Sequence, residues 1–229
     1  MASGNEELVN AIAALERFSG SGGLTSRISE LESGLRGLNG SAVASLLSSD
    51  GIEDQTLVGA LAVRVMAGQI NVVVHALGIL MALPAILEDG ERVEDLSLGA
   101  GNTGHNFDLE TNRRIAEFKF ITWQGGSESI RQNALFVDLY HLAEAETDKL
   151  RELYVTDLVH PLKFLAGGRS MKSILSKHGY VAEEFFARYG DRYLVARDYW
   201  YDAKDRVALV DVSTLVPYFA KFPFDEDLI

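Results

Sequence analysis

Two acids and a lysine stand at a spacing that could carry out metal-assisted hydrolysis. Asp108 is separated by eight residues from Glu117, and Lys119 follows two residues later. Paired carboxylates suit Mg²⁺ or Mn²⁺, which prefer oxygen ligands and keep part of their water shell. A cation held in this way polarises a phosphate oxygen and acidifies bound water, while a nearby ammonium stabilises charge on the phosphate. These residue types therefore predict hydrolysis of a phosphodiester.

The three side chains can meet only if residues 107–120 form a β-hairpin. Asn112-Arg113 is suited to a two-residue turn, because Asn tolerates positive φ. That turn sets Asp108 opposite Glu117, and it puts Glu117 and Lys119 on one face because strand side chains alternate. The same register pairs Leu109 with Ala116 and Glu110 with Ile115.

The pairing of Asp108 with Glu117 has two interpretations. Like charges placed directly across a ladder destabilise a hairpin, and a bound cation removes that penalty. The alternative is a purely structural hairpin in which Lys119 neutralises Glu117. Agreement between the strand pattern, the apolar flanks and the helix that follows favours the metal site.

The motif resembles that of the PD-(D/E)XK nuclease superfamily, which includes many restriction endonucleases. The resemblance rests on Asp108 and on Glu117-Phe-Lys119, followed by a helix and a strand, and it covers residues 93–157. Position 107 is Phe where the family pattern often has Pro. The resemblance implies that Asp108 and Glu117 bind the metal and that Lys119 assists hydrolysis.

Two further site positions are implied by the same resemblance. Gln132, on the helix after the Glu-x-Lys strand, resembles a site-proximal Gln or Glu of some members. Many members also contribute a Glu from the helix before the first strand. The candidates here are Glu88, Glu91 and Glu94, and the sequence does not choose among them.

The elements around the motif predict an α/β protein with a central mixed β-sheet flanked by helices. Helical patterns precede the sheet, strand-like runs begin after Arg92, and helices then alternate with strands. We expect a helical N-terminal extension over residues 1–50 and a restriction-endonuclease-like domain over 51–229. Predicted helices cover 6–18, 28–38, 41–47, 55–66, 127–145 and 170–189, and predicted later strands cover 150–155 and 206–212.

The stretch from Ile70 to Leu87 is apolar enough to suggest a membrane span. It is interrupted by Asn71, His75, Gly78 and Pro84, and it is followed by the acidic residues Glu88, Asp89 and Glu91. A buried helix or helix pair, ended or kinked at Pro84, is therefore favoured.

The composition of the chain limits the kinds of molecule that it is expected to bind. The net charge is −12, yet residues 101–180 carry ten basic and ten acidic side chains, so the predicted site lies in a neutral region. A general nucleic-acid binder usually has a basic footprint.

The chain has no cysteine, which excludes thiolate chemistry and suits a reducing cytoplasm.

The leading hypothesis is a cytoplasmic Mg²⁺-dependent nuclease acting on nucleic acid, with DNA preferred. The alternative is a catalytically silent domain of the same fold that serves as an interaction module. In either case the N-terminal helices are expected to mediate homodimerisation or partner binding, because Ile28, Leu31, Leu35 and Leu38 form a short coiled-coil-like seam. The alternative for this seam is a stripe that packs on the protein's own body.

Other features carry weaker chemistry. The glycine-rich segment 99–104 lacks the Lys-Ser/Thr of a P-loop and is interpreted as a turn between strands. His141 and Glu144 are three residues apart on a predicted helix, but two ligands alone make a weak metal site. The aromatic residues near the end of the chain are expected in the core, because their region is acidic and therefore unsuited to base stacking.

Overall fold

A computed structural model describes residues 2–19, 23–52, 54–99, 106–120, 123 and 128–221. The chain divides into two compact units, one running up to Asn71 and the other starting at Val72. This division falls inside the helix Asp54–Ile86. The boundary expected from the sequence was residue 50, which lies in the turn after the helix Gly40–Ser49. The predicted site lies wholly in the second unit.

The first unit is helical, as the periodicity predicted. Asn39 ends the loop before the third helix, where its side-chain oxygen accepts a hydrogen bond from the Ala42 amide at 3.1 Å. Arg27 ties the second helix to the end of the third through an ion pair with Asp50 at 2.9 Å. The helices of this unit are α1 (Ala2–Ser19), α2 (Leu24–Leu35), α3 (Gly40–Ser49) and the first part of α4 (Asp54–Ile86).

Helix α4 is a single element where the sequence predicted two. It joins segments 55–66 and 70–87, because Gly68 between them costs only about 1 kcal/mol in a helix interior. Pro84 lies in the last turn, and the helix ends two residues later at Ile86. No helix in the described part of the chain is both long enough and apolar enough to cross a membrane.

The second unit is built on a five-stranded mixed sheet, which confirms the predicted α/β class with helices flanking a central sheet. The spatial order is β1-β2-β3-β4-β5. The first three strands are antiparallel neighbours, and β4 runs parallel to both β3 and β5. The strands are β1 (Val93–Leu96), β2 (Leu109–Thr111), β3 (Arg114–Lys119), β4 (Leu150–Val155) and β5 (Ala208–Asp211).

Helices connect the parallel strands and cover the sheet. The predicted helix 170–189 is two helices, because the polar segment 176–178 and Gly179 break it. The break lets apolar residues of both pieces enter one core. These helices are α5 (Ser129–Glu144), α6 (Val159–Leu165), α7 (Met171–Leu175), α8 (Gly179–Tyr189), α9 (Ala196–Ala203) and α10 (Tyr218–Lys221), with a 3₁₀ turn at Val212–Thr214.

Alternate residues of β3 enter two separate cores. Ala116 and Phe118 pack with Ile79 of α4, and Ile115 packs in the larger core with α5. The larger core contains most of the late aromatic residues, as expected: Phe185, Tyr193, Tyr199 and Trp200 are buried. Because Glu117 and Lys119 alternate with Ala116 and Phe118, they face the side of the sheet covered by α5.

Candidate functional site

The β2–β3 hairpin has the predicted register. Leu109 pairs with Ala116 and Glu110 pairs with Ile115. The turn differs from expectation in one respect: no non-glycine residue in the described ranges has positive φ, so Asn112 does not use that conformation. Its side chain instead accepts a hydrogen bond from the Arg92 amide at 2.8 Å, which anchors the turn to β1.

Asp108 lies just before β2, at the open end of the hairpin. Its backbone carbonyl accepts from the Ser97 amide at 2.8 Å, which continues the pairing with the β1 side. Its side-chain Oδ2 accepts from the Phe118 amide of β3 at 3.0 Å. These two hydrogen bonds hold the carboxylate against β3, next to Glu117.

The predicted trio comes together. The Glu117 carboxyl is hydrogen-bonded to the Asp108 carboxylate, and Lys119 lies close enough to both to favour their charged forms. The structural alternative required Lys119 to form an ion pair with Glu117. Lys119 pairs with a different acid. Its Nζ lies 2.8 Å from Oδ2 of Asp138 on α5. The hairpin therefore brings two carboxyls into contact, and the lysine is held beside them by a third.

Two members of this cluster were missed from the sequence. Asp138 is three residues after Leu135 and four before Leu142, both buried, so it occupies the apolar stripe of α5. A charged residue in such a stripe was the available signal. Its partner in the cluster, Lys119, is 19 positions away in the chain, and periodicity alone does not show such a contact.

His75 is the second residue missed. It precedes Ile79, Ala82 and Ile86 at spacings of four, three and four residues, and those three are buried under the sheet. It therefore occupies the core-facing stripe of α4, where an apolar residue is expected. Its Nε2 lies 3.4 Å from Oδ1 of Asp108, and its ring meets Phe120 edge-on at 5.8 Å.

Burial and charge separate the pKa values of the two touching acids. Burial raises the pKa of Glu117 to about 9, and the charges of Asp138 and Asp108 add to this effect. Burial alone would also raise the pKa of Asp108, but hydrogen bonds from His75 and the Phe118 amide outweigh it and hold that pKa below the ordinary value. At neutral pH Glu117 is therefore protonated and donates to an ionised Asp108.

The lysine and its partner are also shifted. Burial would lower the pKa of Lys119, but the Asp138 carboxylate raises it above the ordinary value, so the ammonium is retained. Burial raises the pKa of Asp138, and Lys119 opposes this shift. The site thus contains an ionised acid touching a protonated one, with an ammonium near both, and shifted pKa values of this kind are typical of functional sites.

The three upstream acids are engaged elsewhere. Glu88 pairs with Arg113 at 2.8 Å and Glu94 with Lys149 at 2.8 Å. Glu91 is bound by the buried Arg114 through two hydrogen bonds of 2.6 and 2.7 Å. Arg114 is the first residue of β3 and Lys119 is the last. The ion pair between Arg114 and Glu91 therefore stabilises the end of β3 that is farther from Asp108 and Glu117. On the helix before β1, the side chain that reaches Asp108 is His75.

Gln132 lies on α5, as predicted, but its contacts point away from the trio. Its Oε1 accepts a hydrogen bond from Arg169 at 2.6 Å, and the side chain lines a separate cavity.

Glu144 of the weak pair His141–Glu144 has a structural role. It accepts hydrogen bonds from Arg188 at 2.6 Å and Tyr199 at 2.8 Å, which join α5 to α8 and α9. Within the glycine-rich segment 99–104, the described residue is Gly99, whose φ is +81°. The rest of that segment lies outside the described residues.

Asp108 and Glu117 are the two residues of the cluster that could hold a divalent cation. Among the described residues, no three His, Asp or Glu side chains are arranged to enclose a metal ion. Mg²⁺ is commonly bound by one or two carboxylates and keeps several waters, so Asp108 and Glu117 fit it. Side chains in the cluster keep 16% exposure at Asp108 and 25% at Lys119, so water can reach them.

Comparisons of the chain with protein-family models, with curated proteins and with solved structures gave no match.

Proposed function

We propose that this protein is a metal-dependent phosphodiester hydrolase acting on nucleic acid, with DNA as the preferred class. The observation that carries the proposal is the contact between the Asp108 and Glu117 carboxyls, with the Lys119 ammonium beside them. Two buried acids in contact lower the stability of the fold. A hairpin with a purely structural role would be expected to avoid this arrangement.

The order of elements supports the same proposal. A helix is followed by three antiparallel strands, then by α5 and a parallel strand. This is the order that the resemblance to the PD-(D/E)XK superfamily leads us to expect around an Asp…Glu-x-Lys motif. The element order thus agrees with the arrangement expected for the motif on the sheet.

The residues have separable roles in the proposed reaction. Asp108 and Glu117 would hold the divalent cation, which acidifies bound water and polarises the phosphate. Because Glu117 is protonated at neutral pH, it would hold the cation only after losing its proton to solvent, whereas Asp108 would offer an ionised oxygen from the start. Lys119 donates hydrogen bonds to the phosphate and stabilises the charge that develops there.

Two other residues position this machinery. Asp138 keeps Lys119 charged and aimed by an ion pair of 2.8 Å. His75 holds one oxygen of Asp108 at 3.4 Å, while the Phe118 amide holds the other at 3.0 Å. Asp108 is thereby fixed from α4 and from β3 at once, which supplies the preorganisation that electrostatic catalysis requires.

The decisive test is cleavage by the purified chain of single- and double-stranded DNA and RNA with Mg²⁺ or Mn²⁺. Asp108→Asn and Glu117→Gln preserve side-chain shape, and each is expected to lower the rate at least about a hundredfold. Lys172→Gln on α7, an exposed residue outside the site, is the matched control and should keep full activity. Cleavage that survives in both Asp108→Asn and Glu117→Gln would exclude this site.

A second candidate function, an interaction module, is favoured by the apolar surface of α4. Leu77, Leu80 and Met81 are 52%, 45% and 50% exposed on the part of this helix that belongs to the second unit. An unusual number of exposed apolar side chains marks partner surfaces. Light scattering of the wild type and of a Leu77→Gln, Met81→Gln variant tests homodimerisation. A monomer in both would remove the dimer from consideration, and a dimer without any cleavage would favour the interaction module.

A further inference from the structure

A small cavity with basic walls lies beside the beginning of α5, outside the acid pair. Its volume is about 260 Å³. Sites for drug-sized ligands typically occupy about 300–1,000 Å³, so this space suits a compact group rather than a large cofactor. We call it the basic pocket; its walls include Trp123, Gln132, His160, Lys163, Phe164 and Arg169.

The two cations of the basic pocket, Lys163 and Arg169, are placed where an anion could meet them. Within the described ranges, no carboxylate lies at ion-pair distance from Lys163 or Arg169. The Nη1 atom of Arg169 donates hydrogen bonds to Oε1 of Gln132 at 2.6 Å and to the Ser129 carbonyl at 3.4 Å. Burial lowers its pKa and no carboxylate opposes that shift. Within the described part of the chain, both charges are therefore available to an anion in the cavity.

One acid does line the same cavity. Glu128 stands at its edge, with Oε1 at 3.2 Å from Nη1 of Arg131. That ion pair compensates its charge, so the wall retains an excess of positive charge from Lys163 and Arg169. His160 adds an imidazole that can donate a hydrogen bond to an anion.

The backbone that carries Arg169 is held in place by the start of α9. The Arg169 carbonyl accepts from the Ala196 amide at 2.9 Å, and the Gly167 carbonyl accepts from the Arg197 amide at 3.2 Å. Ser170 forms an isolated antiparallel bridge with Val195. The guanidinium is therefore presented from a fixed wall, which lowers the entropic cost of binding.

We propose that the basic pocket binds a phosphate group of the same nucleic-acid strand whose scissile phosphodiester meets Asp108 and Glu117. This inference rests on the proposed function. Gln132 in the pocket wall and Asp138 beside Lys119 lie six residues apart on α5, about 9 Å along its axis. A strand of a few nucleotides is long enough to cover this separation. One strand can thus reach both places.

The test measures binding in the presence of EDTA, so that cleavage plays no part. Isothermal titration compares inorganic phosphate with a short single-stranded oligothymidylate, with and without a 5′-phosphate. Arg169→Gln and Lys163→Gln should each weaken strand binding by about tenfold or more, the usual effect of losing a charged hydrogen bond. Lys172→Gln, which keeps the same net charge as these variants, should bind as the wild type does. Lys163 is exposed, so Lys163→Gln keeps the test valid if Arg169→Gln fails to fold.

The arms of the experiment identify the source of the phosphate. Tighter binding of the 5′-phosphorylated strand, lost in both pocket variants, assigns the pocket to a strand end. Equal binding of both strands, lost in both variants, assigns it to an internal phosphate. Strand binding that is unchanged in both variants, or inorganic phosphate bound without any strand, would overturn the proposal. Strand binding that depends on Arg169, in a protein that cleaves nothing with Mg²⁺ or Mn²⁺, would reject the nuclease and keep the pocket.

Discussion

The raised pKa of Glu117 predicts how the stability of this fold depends on pH. Folding moves the pKa of this carboxyl from 4.5 to about 9, because it is buried beside Asp138 and Asp108. Between these values the folded chain holds a proton that the unfolded chain has released. The free energy of unfolding therefore falls as pH rises, by about 1.4 kcal/mol per pH unit from this group.

Glu117→Gln removes the titrating group and keeps the shape of the side chain. From about pH 5.5 to about pH 7.5, the wild type should lose about 3 kcal/mol of stability that the variant keeps. Urea unfolding at several pH values measures this difference by linear extrapolation. Both tryptophans, Trp123 and Trp200, lie in the unit that contains the sheet, so their fluorescence reports the relevant transition.

Glu91→Gln is the matched control, since it makes the same chemical change at an acid shifted in the opposite direction. Hydrogen bonds from Arg114 lower the pKa of Glu91 to about 2, so it is ionised in both folded and unfolded chains across this pH window. Its loss leaves the buried Arg114 without its main partner and should cost about 3 kcal/mol at every pH tested. If Glu117→Gln lost stability with pH as steeply as the wild type, the protonated, buried Glu117 inferred here would be wrong.

Two further substitutions test the packing and charge around the site. Gly78→Ala would put a methyl group 2.6 Å from the Phe120 ring and should destabilise the fold by about 1–3 kcal/mol, measured by thermal unfolding. Gly68→Ala on the same helix meets nothing within 4 Å and should instead stabilise it by up to about 1 kcal/mol; equal effects would contradict the packing at Phe120. Asp138→Asn removes the charge that holds up the pKa of Lys119, so that pKa should fall when followed by NMR of the lysine side chain; an unchanged titration would show that Asp138 does not control it.

Local patterns were enough to predict the sheet and the hairpin. The alternation of side chains in residues 107–120, the turn at Asn112-Arg113 and the strand-like run 150–155 gave the strands and the pairing of Leu109 with Ala116. These features depend on neighbours in the chain, and a register shift of one residue would have moved Glu117 and Lys119 to the opposite face of the sheet. For the same reason, the meeting of Asp108 with Glu117 was predictable.

Patterns were less reliable where a helix continues or stops. The helix α4 runs through Gly68, since a single glycine is tolerated in a long helix. The predicted helix 170–189 breaks at 176–178, because burying the apolar faces of α7 and α8 in one core outweighs continuity. Asn112 stabilises the turn through its side chain rather than through positive φ.

By itself, the sequence determined that two acids and a lysine would share one face of a hairpin, because strand geometry repeats every two residues. Tertiary structure alone decided which groups surround them. Asp138 reaches Lys119 because α5 packs on the sheet, and His75 reaches Asp108 because α4 covers its other side. Burial by these helices moves the pKa of Glu117 to about 9. Contacts and desolvation of this kind depend on segments distant in the chain, so no local spacing encodes them.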